Sequence, residues 1–131
     1  LVASARELPL ILVVGPDAPS EQRERLLEAG VQIVEVPHGA GGVDIRAALE
    51  ALAGRGFTRL LVEGGADVAS SLVGDDLVDE AIIFRAPVVV GTGGVRALGG
   101  YAMSAIERSP RYRQIEAAIL GDDQMRRYLR V

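Results

Sequence analysis

The run Leu60-Leu61-Val62-Glu63-Gly64-Gly65-Ala66-Asp67-Val68-Ala69-Ser70-Ser71-Leu72 changes character midway. Its first residues read as a buried strand ending in an acidic side chain. Two glycines then make a turn, and a helix opens at Ala66. A strand that feeds a helix through so short a turn constrains the chain to an α/β arrangement. The first N–H groups of a helix have no partner within it. At the end of a strand they form the place where open α/β sheets hold phosphate-bearing ligands. Glu63 stands beside that place, positioned to touch a sugar or a reacting group.

The segments upstream repeat the α/β theme. Leu8 to Val14 is a continuous apolar run closed by Gly15-Pro16, which suits a central strand covered on both faces. Asp17 to Ser20 offers helix-start residues, with Pro19 early and Glu21 in the first turn. Leu26, Leu27 and Ala29 form an apolar side, and Gly30 supplies the stop. Val31 to Val36 reads as a second strand, ended by Pro37. Gly39-Ala40-Gly41-Gly42 reads as a flexible connector. Ile45, Ala48, Leu49, Leu52 and Ala53 recur at helical spacing behind Asp44, and Thr58 to Val62 forms the third strand. Right-handed crossovers would make these units a parallel sheet.

Beyond the helix of residues 66–73, a strand is expected from Val78 to about Ala86, because Pro87 cannot donate into a ladder. A second glycine cluster, Gly91-Thr92-Gly93-Gly94, follows. Tyr112 to Leu120 and Gln124 to Val131 read as an antiparallel hairpin around Gly121-Asp122-Asp123, a turn slightly longer than the tightest type.

Composition narrows the chemistry. The 131 residues suit one domain, and with nearly half of them hydrophobic an aliphatic core is expected. A net charge of −4 argues against a nucleic-acid footprint. Arg108, Arg111, Arg113, Arg126, Arg127 and Arg130 are expected to form a solvated strand face. Without cysteine there is no disulfide, thiolate nucleophile or cysteine-bound zinc. The lone His38, between Pro37 and Gly39, is expected in a loop rather than on a metal. No apolar stretch is long enough to cross a bilayer and no signal peptide opens the chain, so a cytoplasmic location is expected. The first strand lacks a following GxGxxG, and there is neither a phosphate loop of the GxxxxGK[ST] type nor a GxSxG elbow. Redox chemistry would therefore need an organic cofactor.

Leu61-Val62-Glu63-Gly64-Gly65-Ala66, then Ser71-Leu72, Leu77-Val78-Asp79-Glu80, Ala86-Pro87 and Gly91 occur in an order that strongly resembles one family. That family is the reductase domain of the bifunctional riboflavin-biosynthesis deaminase/reductase. The terminal Leu120-Gly121-Asp122-Asp123 and Tyr128-Leu129-Arg130 are similar to its C-terminal end. The resemblance spans most of residues 58–130, while upstream only the β-α-β pattern carries it. It implies a dihydrofolate-reductase-like mixed α/β sheet with flanking helices, in the order β-α-β-α-β-α-β followed by the hairpin.

The resemblance further implies NADPH-dependent reduction of the ribosyl side chain of 5-amino-6-(5-phosphoribosylamino)uracil to the ribityl form. Glu63 would contact that small-molecule substrate. Gly64, Gly65, Ala66, Asp67, Val68, Ala69, Ser70 and Ser71 would hold the NADP pyrophosphate, with Ser70 or Ser71 adding hydroxyl donors. Asp79 and Glu80 fit the motif, with a structural role expected at the start of a strand. The family's domain begins well before the first strand here, and the zinc deaminase signature is absent. Residues 1–131 are therefore expected to be the C-terminal part of a reductase domain, inactive alone and homo-oligomeric in the intact protein. The alternatives are a related reductase of another pteridine or pyrimidine, and a non-catalytic oligomerisation fragment.

Overall fold

Ile11–Val14 (β1) and Gln32–Glu35 (β2) run parallel, with Leu12 opposite Ile33 and Val13 opposite Val34. The crossover between them is α1, Ser20–Glu28. Gly30 ends this helix at a φ of +92°, which a side chain would resist. The Val31 N–H then reaches the Leu26 carbonyl at 2.9 Å and the Gly30 N–H reaches that of Leu27, closing a Schellman motif. The computed structural model describes all residues, Leu1–Val131, and the chain divides into two compact units, Leu1–Leu61 and Val62–Val131.

In the first unit the Asp44 carboxylate accepts from the Ala47 N–H at 3.0 Å, which caps α2, Ile45–Ala53. Ala48 on that helix packs with Val34 and Val36, and Ile11, Val13 and Val43 close around them. Three expectations are corrected here. Gly39–Gly42 is no loose connector: His38–Gly39 (β3) pairs antiparallel with Gly42–Val43 (β4). His38 thus lies in a short strand, its Nε2 3.1 Å from Asp17 Oδ1. Thr58–Val62 forms no strand. The segment finds no neighbour to complete a ladder, and Leu61 stays 81% exposed. The parallel sheet is therefore the single β1–β2 pair.

The second unit opens with α3, Ala66–Gly74, followed by β5, Glu80–Arg85, which stops two residues before Pro87. A short helix, α4 (Ser104–Glu107), precedes β6 (Tyr112–Leu120) and β7 (Asp123–Arg130). These strands form an antiparallel sheet in the order β5-β7-β6. Leu120 pairs directly with Asp123, so the hairpin turn is shorter than expected, only Gly121-Asp122. Gly121 has a φ of +65°, which suits the first central position of a type II′ turn.

One face of the sheet carries the core. Tyr112 and Tyr128 are buried there with Val73 of α3, Ile106 of α4 and Leu98. The Tyr112 hydroxyl donates to the Val78 carbonyl at 3.0 Å, and burial pushes its pKa above the ordinary phenol value. No helix is long and apolar enough to cross a membrane.

Candidate functional site

The expected strand–turn–helix survives in its second half. Val62, Glu63, Gly64 and Gly65 are exposed and without regular structure, and α3 follows. Gly65 precedes the helix at a φ of +83°, so glycine is needed there for its backbone rather than for space. A β-carbon on Gly64 would meet nothing within 4 Å. The turn is therefore open above Gly64, and above Gly65 a β-carbon would only touch the Val68 side chain, at 3.8 Å. The Glu63 carboxylate has neither an ion-pair nor a hydrogen-bond partner, which leaves both its oxygens available to a ligand.

No side chain caps α3. The Ala69 N–H donates to the Gly65 carbonyl at 3.0 Å, which leaves the N–H groups of Ala66, Asp67 and Val68 without an acceptor. These are the donors that an anion would use, with the positive end of the helix dipole behind them. The expected clamp is thereby narrowed. The Ala69 N–H is engaged, and the Ser71 hydroxyl donates to the Asp67 carbonyl at 3.0 Å, so its proton is spent on the helix itself. Asp67 contributes an N–H but also puts a carboxylate in the first turn, which opposes a bound phosphate.

The glycine-rich segment 91–100 comes to the same place. Leu98 is buried, the Gly99 N–H donates to the Ala66 carbonyl at 3.2 Å, and the Gly100 N–H donates to Ser70 Oγ at 3.0 Å. A β-carbon on Gly99 would lie 2.8 Å from Asp67 Oδ1, so the loop approaches α3 as closely as glycine allows. The sequence marks this segment as glycine-rich but carries no sign that its far end docks on the first turns of α3.

The other end of α3 is a structural site. Asp76 adopts a φ of +59° after the helix, a position usually given to glycine. The Leu77 N–H bonds the Leu72 carbonyl and the Asp76 N–H bonds that of Val73, which completes a second Schellman motif. Arg130 reaches Asp76 Oδ2 at 2.7 Å and the Asp76 carbonyl at 2.6 Å, while Arg111 reaches Oδ1 at 2.9 Å. The Arg130 hydrogen bond, with the charges of both arginines, holds the Asp76 carboxyl below its ordinary range and raises Arg130 in turn. Arg127 pairs with Glu80 and, at 3.6 Å, with Glu116. The arginines expected to be simply solvated thus divide: Arg111, Arg127 and Arg130 bind carboxylates. Glu80 holds the β5–β7 pair, in keeping with the structural role expected of it, and Asp79 lies 3.8 Å from Arg130.

With this geometry in view, the similarities to known proteins are specific. Residues 2–124 match the family model described as the RibD C-terminal domain. A 2,5-diamino-6-ribosylamino-4(3H)-pyrimidinone 5′-phosphate reductase of Aquifex aeolicus is 35% identical over 99 residues, covering 76% of this chain and 43% of that protein. The protein of the same name from Methanothermobacter thermautotrophicus is 31% identical over 123 residues, 93% of this chain and 56% of its own length. The crystal structure of a pyrimidine reductase-like protein from Corynebacterium diphtheriae superposes with a TM-score of 0.72 over 92% of this chain and 50% of that one, at 20% identity. That similarity shows the shared fold, the mixed α/β type that the motifs implied. The chain spans about half the length of the relatives it matches.

Proposed function

Because this chain belongs to the RibD C-terminal domain family, we propose that it supplies the cofactor-facing part of an NADPH-dependent reductase of riboflavin biosynthesis. In the intact protein the reaction is reduction of the ribosyl side chain of 5-amino-6-(5-phosphoribosylamino)uracil to the ribityl form. NADPH, when bound, supplies the hydride. The chain's own residues bind and orient. The free N–H groups of Ala66, Asp67 and Val68 take the pyrophosphate, Gly64 and Gly65 leave room for it, Ser70 and Ser71 border it, and Glu63 contacts substrate. The observation that carries this reading is the uncapped start of α3 directly behind an exposed Glu-Gly-Gly turn.

A paired substitution tests it. Gly65→Asp brings both backbone strain and a negative charge to the phosphate position, whereas Gly65→Ala brings the strain alone. Titration with NADPH should show the aspartate variant binding at least about tenfold more weakly than the alanine variant, one charge–charge contact in a partly screened site. Equal affinities in the two variants would remove the clamp.

The Aquifex and Methanothermobacter relatives, both named as reductases of 2,5-diamino-6-ribosylamino-4(3H)-pyrimidinone 5′-phosphate, favour that compound as a second substrate. It shares the ribosyl phosphate with the uracil and carries an amino group where the uracil has a carbonyl. Rates on both compounds at fixed NADPH separate the readings. A cytoplasmic location and a homo-oligomer complete the proposal. Sedimentation velocity tests the latter, a clean monomer at micromolar concentration being the refuting result.

A further inference from the structure

The start of α3 offers backbone donors but no cation, and Asp67 adds a negative charge of its own. A dinucleotide phosphate held there needs positive charge from elsewhere. Among the residues of the glycine segment, Arg96 is exposed and makes no ion pair. It stands three residues from Gly99, whose N–H is bonded to the Ala66 carbonyl, so its backbone can lie no further than about 13 Å from that carbonyl in the helix's first turn. An extended arginine side chain covers more than half of that distance. What keeps Arg96 in range is the attachment of the segment's far end, since residues 91–97 have no bond to α3 themselves.

That attachment has a polar part and an apolar part. Leu98 is buried against the sheet, and Gly100 is tied to Ser70 Oγ at 3.0 Å. The Ser70 hydroxyl accepts this bond. The neighbouring Ser71 hydroxyl donates only to its own helix, at Asp67. The two serines therefore do different things, although the sequence makes them look equivalent.

We propose that Ser70 is a positioning residue: it latches the glycine loop to α3 and so holds Arg96 within reach of a phosphate at the helix start. The proposal rests on the cofactor reading above and adds to it the cation, Arg96, and the residue that presents it, Ser70. Ser70 acts through Gly100 and the loop rather than as a phosphate ligand. Two glycines, Gly91 at a φ of +76° and Gly99, frame the segment that is held.

Trypsin provides a readout that does not depend on activity, because the Arg96–Ala97 bond lies inside the latched loop. In this chain, Ser70→Ala should raise the rate of cleavage at Arg96 by about fivefold, the change in open population expected from losing one neutral hydrogen bond. Ser70→Thr should restore the parent rate, and Ser71→Ala should leave it unchanged. Saturating NADPH should protect Arg96 in the parent and protect it less in Ser70→Ala. Arg96→Gln should weaken NADPH binding without changing the exchange protection of the Gly100 amide. Equal cleavage of parent and Ser70→Ala would overturn the latch while leaving the cofactor reading intact. Faster cleavage of Ser70→Ala with no NADPH protection in the parent would overturn the cofactor reading and the positioning role together. Unchanged affinity in Arg96→Gln would overturn the assignment of the cation.

Discussion

Leu98 is the apolar anchor of the glycine loop, and truncating it tests whether that loop is built into the core. It is 5% exposed and packs with Val73, Ile106, Tyr112 and Tyr128. Leu98→Ala removes an isopropyl group, a transfer loss of about 2.4 kcal/mol at ~0.8 kcal/mol per buried carbon. A cavity term adds to this where the walls cannot close in. Here the walls include two tyrosine rings on paired strands. That of Tyr112 is further held by its bond to Val78 and by the Arg130 guanidinium 5.8 Å from the ring centre. The expected loss is therefore about 3 kcal/mol. Val95, in the same loop, is 94% exposed, and Val95→Ala should change stability by less than about 0.5 kcal/mol. Urea unfolding followed by circular dichroism and tyrosine fluorescence measures both, since the chain has no tryptophan to obscure the tyrosines. With a slope near ~1 kcal/mol per molar for a unit of this size, the Leu98 midpoint should fall by roughly 3 M or the unit should not fold. A loss under about 1 kcal/mol, or equal damage in both variants, would refute the placement of Leu98 as the anchor.

Acid stability should depend on Asp76. Its folded-state pKa is depressed by Arg130 and Arg111, so its contribution is complete above the unfolded value and is lost as pH falls through the folded one. The urea midpoint should therefore decline from about pH 4 downward, and Asp76→Asn should flatten that decline; parallel acid limbs in the two proteins would rule the linkage out. In the hairpin turn, Gly121→Ala forces a β-carbon into a φ of +65° and should cost about 1 kcal/mol, read as a lowered melting temperature. An unchanged melting temperature would mean that the turn relaxes to another type.

Much of the fold is legible because its signals are local. Asp44 caps α2 with its own side chain, Gly30 stops α1 with its own backbone, and Pro87 keeps β5 short. The hairpin is legible for the same reason, although its register, Leu120 opposite Asp123, makes the turn tighter than the run Gly121-Asp122-Asp123 suggests. Thr58–Val62 shows the limit. Its β-branched and apolar residues satisfy the pattern of a strand, yet a strand exists only where a neighbour accepts its backbone bonds. The candidate site divides along the same line. The Glu63-Gly64-Gly65 turn and the start of α3 are a contiguous signal, whereas the spent proton of Ser71 and the engaged N–H of Ala69 depend on the helix being built.

By itself the sequence determines where α1 and α2 begin and end, where α3 begins, which glycines can take positive φ, and which turn exposes free N–H groups beside a carboxylate. These follow from chemistry within a few residues of one another. Tertiary structure alone decides what meets across the chain. It brings Gly100 to Ser70 and Gly99 to Ala66, it gathers Arg111 and Arg130 on Asp76, and it leaves Thr58–Val62 without a partner. Each such pairing spans thirty or more residues. The entropy of closing a loop that long is recovered only when many contacts form together, and no local pattern of residues records which ones will.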